Sequence, residues 1–181
     1  MAADDAMGFW LRQAGRVPLL TAAEEVHLGS MVRAWQDHPA GPDAAPLAIR
    51  RRGMRARERI VNANLRLVVA ITMKVKAGAR GRIAEVDTPD MLQAGAIGLM
   101  RGAERFDPTR GYKFSTFGYW WIRQGISRWI VASSRLIYVP HQLSDQLGKL
   151  GRLGDRLTAE LGRCPTVAEL AAELIVSRRS R

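Results

Sequence analysis

The sequence predicts an all-α fold, on three observations. Apolar residues recur at helical spacing in three separate segments, residues 60–75, 92–103 and 122–130. Helix-start chemistry recurs along the chain, at Thr21, Thr88 and Thr166. No segment indicates a sheet, and no internal repeat is visible.

The elements follow in order. Residues 7–35 read as two helices broken near Gly15, Arg16, Val17 and Pro18. Thr21 and Glu24 form a capping box, in which the hydroxyl accepts an orphan N–H and the carboxylate reaches back. Val26, Met31 and Trp35 then supply part of an apolar stripe. The next stretch, DHPAGPDAAP, is a poor helix former, and the densely basic IRRRGMRARER follows it. We read a loop and then a solvated helix entry, with a charged surface and a phosphate contact both open for the basic run.

Residues 58–77 read as one helix on Ile60, Leu65, Leu67, Val68, Ile71 and Val75, followed by a glycine-rich basic loop, AGARGR. Thr88 is placed to cap the next helix, with Pro89 in its first position. That helix runs through Leu92, Ile97, Leu99, Met100 and Ala103 and stops before the turn Asp107–Gly111. Another helix is expected from about Ser115 to Ser133. Pro140 breaks the chain, an amphipathic segment runs from Gln142 to about Leu161, and Thr166 with Glu169 opens a short last helix. The chain ends in VSRRSR.

The net charge of +11 points to a polyanionic partner, nucleic acid before membrane. No apolar run is long enough to span a bilayer, and acids stand in MAADDAMGFW where a signal peptide would carry basic residues. A cytoplasmic protein is expected. The single Cys164 excludes an internal disulfide. His27, His38 and His141 are scattered and without motif, and no zinc, thiol or phosphate-loop signature appears. We expect no enzyme, no metal and no cofactor.

The densest chemistry lies in DPTRGYKFSTFGYWWIRQGISR, residues 107–128. Tyr112, Phe114, Phe117, Tyr119, Trp120 and Trp121 alternate there with Arg110, Lys113, Arg123 and Arg128, in a chain only 7% aromatic. Aromatic faces stack unpaired bases, at about 1–3 kcal/mol each, and basic groups hold phosphates. The competing reading is an aromatic-rich helix buried in a core. Spacing assigns two faces. Ile122, Ile126, Trp129 and Ile130 make an apolar one. Trp120, Gln124, Ser127 and Arg128 repeat the pattern about 160° away. Gln and Arg can pair with base edges, though such residues are also common on any wet helix face.

These residues carry a family resemblance. ANLRLVVAI (63–71) and DMLQAGAIGLMRGAERFDPTRGYKFSTFGYWWIRQGISR (90–128) resemble region 2 of bacterial sigma-70 factors, and FWLRQAGRVPLLTAAEE (9–25) resembles region 1.2. GYWWIRQGI is similar to the primary-like factors of cyanobacteria. The resemblance implies a factor that binds core RNA polymerase and recognises and melts the promoter −10 element. It implies a region 1.2-like arm at 1–36, a Pro/Gly-rich basic linker at 37–57, region 2 at 58–135 and an incomplete region 3 at 136–181, with region 4 absent.

Site roles are implied in the same way. Asp90 and Gln93 would meet the clamp of the polymerase's largest subunit. Phe117 with Phe106, Arg110, Tyr112 and Thr116 would pocket a flipped adenine of the non-template strand. Trp120 and Trp121 would abut the last paired base, and Gln124 and Ser127 would read the first base pair. Lys113, Arg123 and Arg128 would hold phosphates. Leu11, Arg12, Leu19, Asn64 and Leu67 would line a second pocket for a downstream thymine. An anti-sigma factor is a further implied partner. Two rivals stand beside this reading: a truncated factor that occupies the clamp without productive initiation, and a nonspecific single-strand binder.

The chain departs from the family pattern in places. Phe117 stands where a tyrosine is usual, so stacking survives and a phenolic hydrogen bond does not. Ser127 replaces a threonine, and Ala94 and Ala96 stand where Glu and Asn are usual on the core-binding helix. Gln142 and Asp145 replace the His and Glu that serve extended −10 recognition, with His141 displaced by one position.

Overall fold

The computed structural model describes residues 8, 10–12, 14–78, 87–133 and 139–179. Among them every regular element is helical: α1 (Ala22–Gln36), α2 (Leu47–Ala63), α3 (Leu65–Gly78), α4 (Thr88–Arg105), a 3₁₀ turn (Pro108–Arg110), α5 (Phe114–Ser133), α6 (His141–Leu161) and α7 (Val167–Arg179). Residues 8, 10–12 and 14–16, ahead of α1, are also helical. The chain divides into two compact units between Ser134 and Arg135.

The capping box at α1 forms as its residues dictate: Glu24 N–H donates to Thr21 Oγ1 at 3.3 Å, and Thr21 N–H donates to Glu24 Oε2 at 2.7 Å. In the buried stripe of α1, Trp35 holds as expected and Met31 packs against the core. The stripe runs through Gly29, Val32 and Trp35, while Val26 is exposed.

The basic run is an integral part of α2, and the helix expected over 58–77 is two helices meeting at Asn64. Asn64 donates its side-chain amide to the Ile60 carbonyl at 2.8 Å, its backbone N–H turns to Val61, and α3 restarts at Leu65. A short amide side chain that competes for backbone partners interrupts a helix in this way. The Lys76-following loop lies largely outside the described residues. At α4 the cap is Asp87 rather than Thr88, which is the first helical residue.

The core of the first unit is built from all five of its helices. Val32, Ala56, Ile60, Val68, Ile71, Met91, Leu92, Leu99, Phe106, Phe114, Ile122 and Ile126 form one buried cluster. Each large member contributes about 1.5–3 kcal/mol by leaving water. Helices α4 and α5 approach backbone to backbone. A Cβ on Gly98 would lie 2.5 Å from the Trp121 carbonyl oxygen, and one on Gly125 would lie 2.7 Å from that of Ala94. Only glycine permits this approach. Between α2 and α4, Arg57 pairs with Glu104 at 2.6 Å and lies 5.6 Å over the Trp35 ring. Trp35 Nε1–H donates to the Pro42 carbonyl at 2.9 Å, which ties down the loop after α1.

The second unit is α6 and α7. Gly162 takes the left-handed conformation (φ 67°) that ends α6, and its N–H reaches Thr158 O at 3.0 Å. The expected capping box at α7 forms, with Thr166 N–H donating to Glu169 Oε2 at 2.7 Å and Glu169 N–H to Thr166 Oγ1 at 3.4 Å. Among its described residues none is buried.

Candidate nucleic-acid interface

The site begins at the turn between α4 and α5. Asp107 Oδ1 accepts from the Thr109 N–H at 3.0 Å and its hydroxyl at 2.6 Å, and Oδ2 accepts from Arg110 Nε at 3.2 Å. These bonds to Thr109, and then Arg110, hold the Asp107 carboxyl below its ordinary pKa. Gly111, at φ 75°, reverses the chain into α5. The first N–H of α5, on Phe114, donates to Glu25 Oε2 of α1 at 3.0 Å. A carboxylate from a distant helix thus satisfies an orphan donor at a positive helix end.

From this turn an aromatic ladder rises to the surface. Phe106 and Phe114 are buried and meet edge to face at 5.2 Å. Phe106 supports the half-buried Phe117 at 5.9 Å and the exposed edge of Tyr112 at 6.4 Å. Tyr112 and Phe117 lie nearly parallel, 6.3 Å apart with 24° between planes. Phe117 contacts Trp121 at 6.2 Å, and the Arg105 guanidinium lies 5.4 Å over the Trp121 ring. Trp120 projects outward, 65% exposed, edge-on to Tyr119.

The two faces read from the spacing of α5 are present. Ile122 and Ile126 are fully buried, with Trp129 and Ile130 packed against the same core. Trp120, Trp121, Arg123, Gln124 and Ser127 line an open concavity of about 390 Å³. Lys113 and Thr116 are exposed at the start of the helix. The core-burial reading therefore holds for Phe106 and Phe114 and fails for Trp120.

Arg128 departs from the expected grouping. It lines a neighbouring groove of about 270 Å³ between α4 and α5, with Asp90, Gln93, Ile97, Arg101 and Trp129. The spacing places it one turn on from Gln124 along α5, and in the fold this position borders the groove toward α4. Of the second implied pocket, Leu11 and Leu19 are exposed, as is Arg12, while Leu67 packs partly on the core. Asn64 is 9% exposed, and its side-chain N–H is already given to Ile60. Two contributors escaped the sequence reading. Glu25 lies 89 residues from its partner, and Arg105 reads as an ordinary last-turn cation of α4.

No helix among the described residues is long and apolar enough to cross a membrane. No group of three or more acidic, His or Cys side chains among them could hold a metal.

The chain is similar to known proteins over most of its length. Residues 60–136 match sigma-70 region 2, and residues 5–37 match sigma-70 factor, region 1.2. The RNA polymerase sigma factor SigA4 of Synechococcus elongatus is 38% identical over 174 residues, covering 94% of this chain and 54% of that protein. The RNA polymerase sigma-B factor of a Nostoc strain is 35% identical, over 94% of this chain and 56% of its own. The principal sigma factor HrdC of Streptomyces coelicolor is 39% identical, over 93% and 52% respectively. The chain thus spans little more than half the length of these curated relatives. The chain belongs to the sigma-70 family of RNA polymerase sigma factors and carries that family's regions 1.2 and 2.

Proposed function

We propose that this chain binds core RNA polymerase in the cytoplasm and recognises and melts the promoter −10 element. The observation that carries this reading is the double character of α5. One face is locked into the core by Ile122 and Ile126, and the other presents Trp120, Trp121, Arg123, Gln124 and Ser127 around an open concavity. A rigid helix with such a face can offer stacking to bases that leave the duplex. Unstacking costs a few kcal/mol per base, and aromatic stacking offsets about 1–3 kcal/mol of it. Binding alone can therefore shift DNA toward the open form, so the function is one of binding rather than catalysis.

In this reading Tyr112 and Phe117, with Thr116 and Arg110 beside them, receive the flipped adenine, and buried Phe106 supports them from below. Trp120 and Trp121 abut the last base pair, while Gln124 and Ser127 face its edge. Lys113 and Arg123 hold phosphates. Asp90 and Gln93 meet the polymerase clamp from the α4–α5 groove, and Arg128 stands at that groove's border with the DNA face. Leu11, Arg12, Leu19 and Leu67 would meet the downstream thymine, with Asn64 shaping the bend behind them. An arm (1–36), linker (37–57), region 2 (58–135) and partial region 3 (136–181) are the functional divisions, although α2 runs unbroken across the 57/58 boundary.

The test is binding to fork-junction DNA carrying the single-stranded −10 non-template strand, with and without core polymerase. The expected result is core-dependent binding that collapses when the flipped adenine and downstream thymine are replaced. Trp120→Ala should weaken it by about 1–3 kcal/mol. Equal binding to both DNAs would leave a nonspecific binder. Core binding with no runoff product from a −35-independent promoter would leave a clamp occupant.

A further inference from the structure

We propose that the exposed arginine ridge of α2 — Arg51, Arg52 and Arg55 — is a second phosphate-binding surface, gripping duplex DNA apart from the aromatic face. The proposal extends the promoter reading and rests on it for the identity of the polyanion. The helix sorts its arginines by position. Arg57 turns inward to Glu104 and Trp35, and Arg50 reaches the Asp43 carbonyl. Arg51, Arg52 and Arg55 are exposed and form no ion pair or hydrogen bond among the described residues. Glu58 is the acid nearest to them on α2.

The ridge is held rigidly. The adjoining face of α2 is buried through Gly53, Ala56, Ile60 and Ala63, and Gly53 is so close to Trp35 that a Cβ would lie 2.5 Å from that side chain. Charged side chains fixed on a docked helix bind with less ordering cost than those on a loop. Arg51 and Arg55 stand one turn apart, about 6 Å along the axis, which spans about two phosphates of one duplex strand. Nothing in the aromatic motif requires these cations, and they add to a chain already at +11. A polyanion is the partner of complementary charge, and guanidinium groups suit phosphate.

The test uses the full chain with core polymerase and the same fork-junction DNA, measured across a salt series. The variants are R51Q/R52Q/R55Q, the lysine triple R51K/R52K/R55K, and a charge-matched triple elsewhere, R16Q/K74Q/R152Q. The expected result is a salt slope lowered by about 2–3 in the first variant alone, with base discrimination unchanged and the lysine variant close to the parent. An unchanged slope, or an equal loss in the charge-matched variant, would overturn the proposal. So would a loss confined to core binding without DNA, which would assign the ridge to an acidic protein surface. If the parent chain fails to discriminate bases, the promoter reading falls while the slopes still report on the ridge.

Discussion

The same capping box occurs twice in this chain, at Thr21/Glu24 and at Thr166/Glu169, in two very different settings. The first opens a helix whose Val32 and Trp35 are buried in a core shared by five helices. The second opens a helix in a unit with no buried residue among those described. There, ion pairs stand where packing stands in the first unit. Arg163 binds Glu169 through two nitrogens at 2.7 and 3.1 Å, and Arg156 pairs with Glu173 and Glu160. Local helix chemistry is thus independent of tertiary support, and stability is not. Exposed ion pairs contribute little and yield to salt, whereas apolar burial does not.

Truncating the core should break the comparison most sharply. Ile122→Ala removes a fully buried side chain and should cost the first unit about 2–5 kcal/mol in thermal or denaturant unfolding. Leu157→Ala, at a half-buried site of α6, should change stability by less than about 1 kcal/mol. A similar cost at both sites would show a core in the second unit too.

Gly98→Ala tests the helix crossing. Its Cβ meets the Trp121 carbonyl, which a backbone cannot easily yield, and the expected cost is about 1–3 kcal/mol. Trp121 fluorescence should shift with it, because the crossing sets the base of the aromatic face.

A smaller effect of opposite sign is expected at Thr72, whose hydroxyl is fully buried with no hydrogen-bond partner. Thr72→Val keeps the shape and removes the unsatisfied group, so calorimetry should show a gain of about 1 kcal/mol. A loss would mean that the hydroxyl has a bonded role.

The last effect is one of pH, at the cap of the second unit's last helix. Hydrogen bonds from Arg163, and then from Thr166, lower the Glu169 pKa from 4.5 to about 2. Because the folded value lies below the ordinary one, the stabilisation is complete above about pH 4.5 and lost as pH falls toward 2. Residue-level NMR should show the start of α7 loosening over that window. Glu169→Gln should abolish the dependence, and a flat profile in the parent chain would show that the cap does not sense charge.

Much of this molecule was readable from one sequence. Both capping boxes, the turn at Asp107–Gly111 and the two faces of α5 depend on residues within a few positions of each other. The misreadings share a cause. The break at Asn64 came from an amide choosing the Ile60 carbonyl, where spacing suggested one continuous helix. The basic run reads as a solvated helix entry, and it is helical, yet Gly53 and Ala56 within it are buried because they fit against Trp35 and the core.

Sequence by itself determined the helical class, the family and the candidate aromatic segment, since periodicity, caps and motif are local properties of the chain. Tertiary structure alone decided which aromatics face outward and which are core, and that Arg128 lines a groove with Asp90 and Gln93. It also decided that Glu25 reaches across 89 residues to start α5. Those outcomes depend on how closely two helices approach. Here the approach is set by Gly98 and Gly125 meeting opposing backbone, a coincidence in space that no local pattern contains.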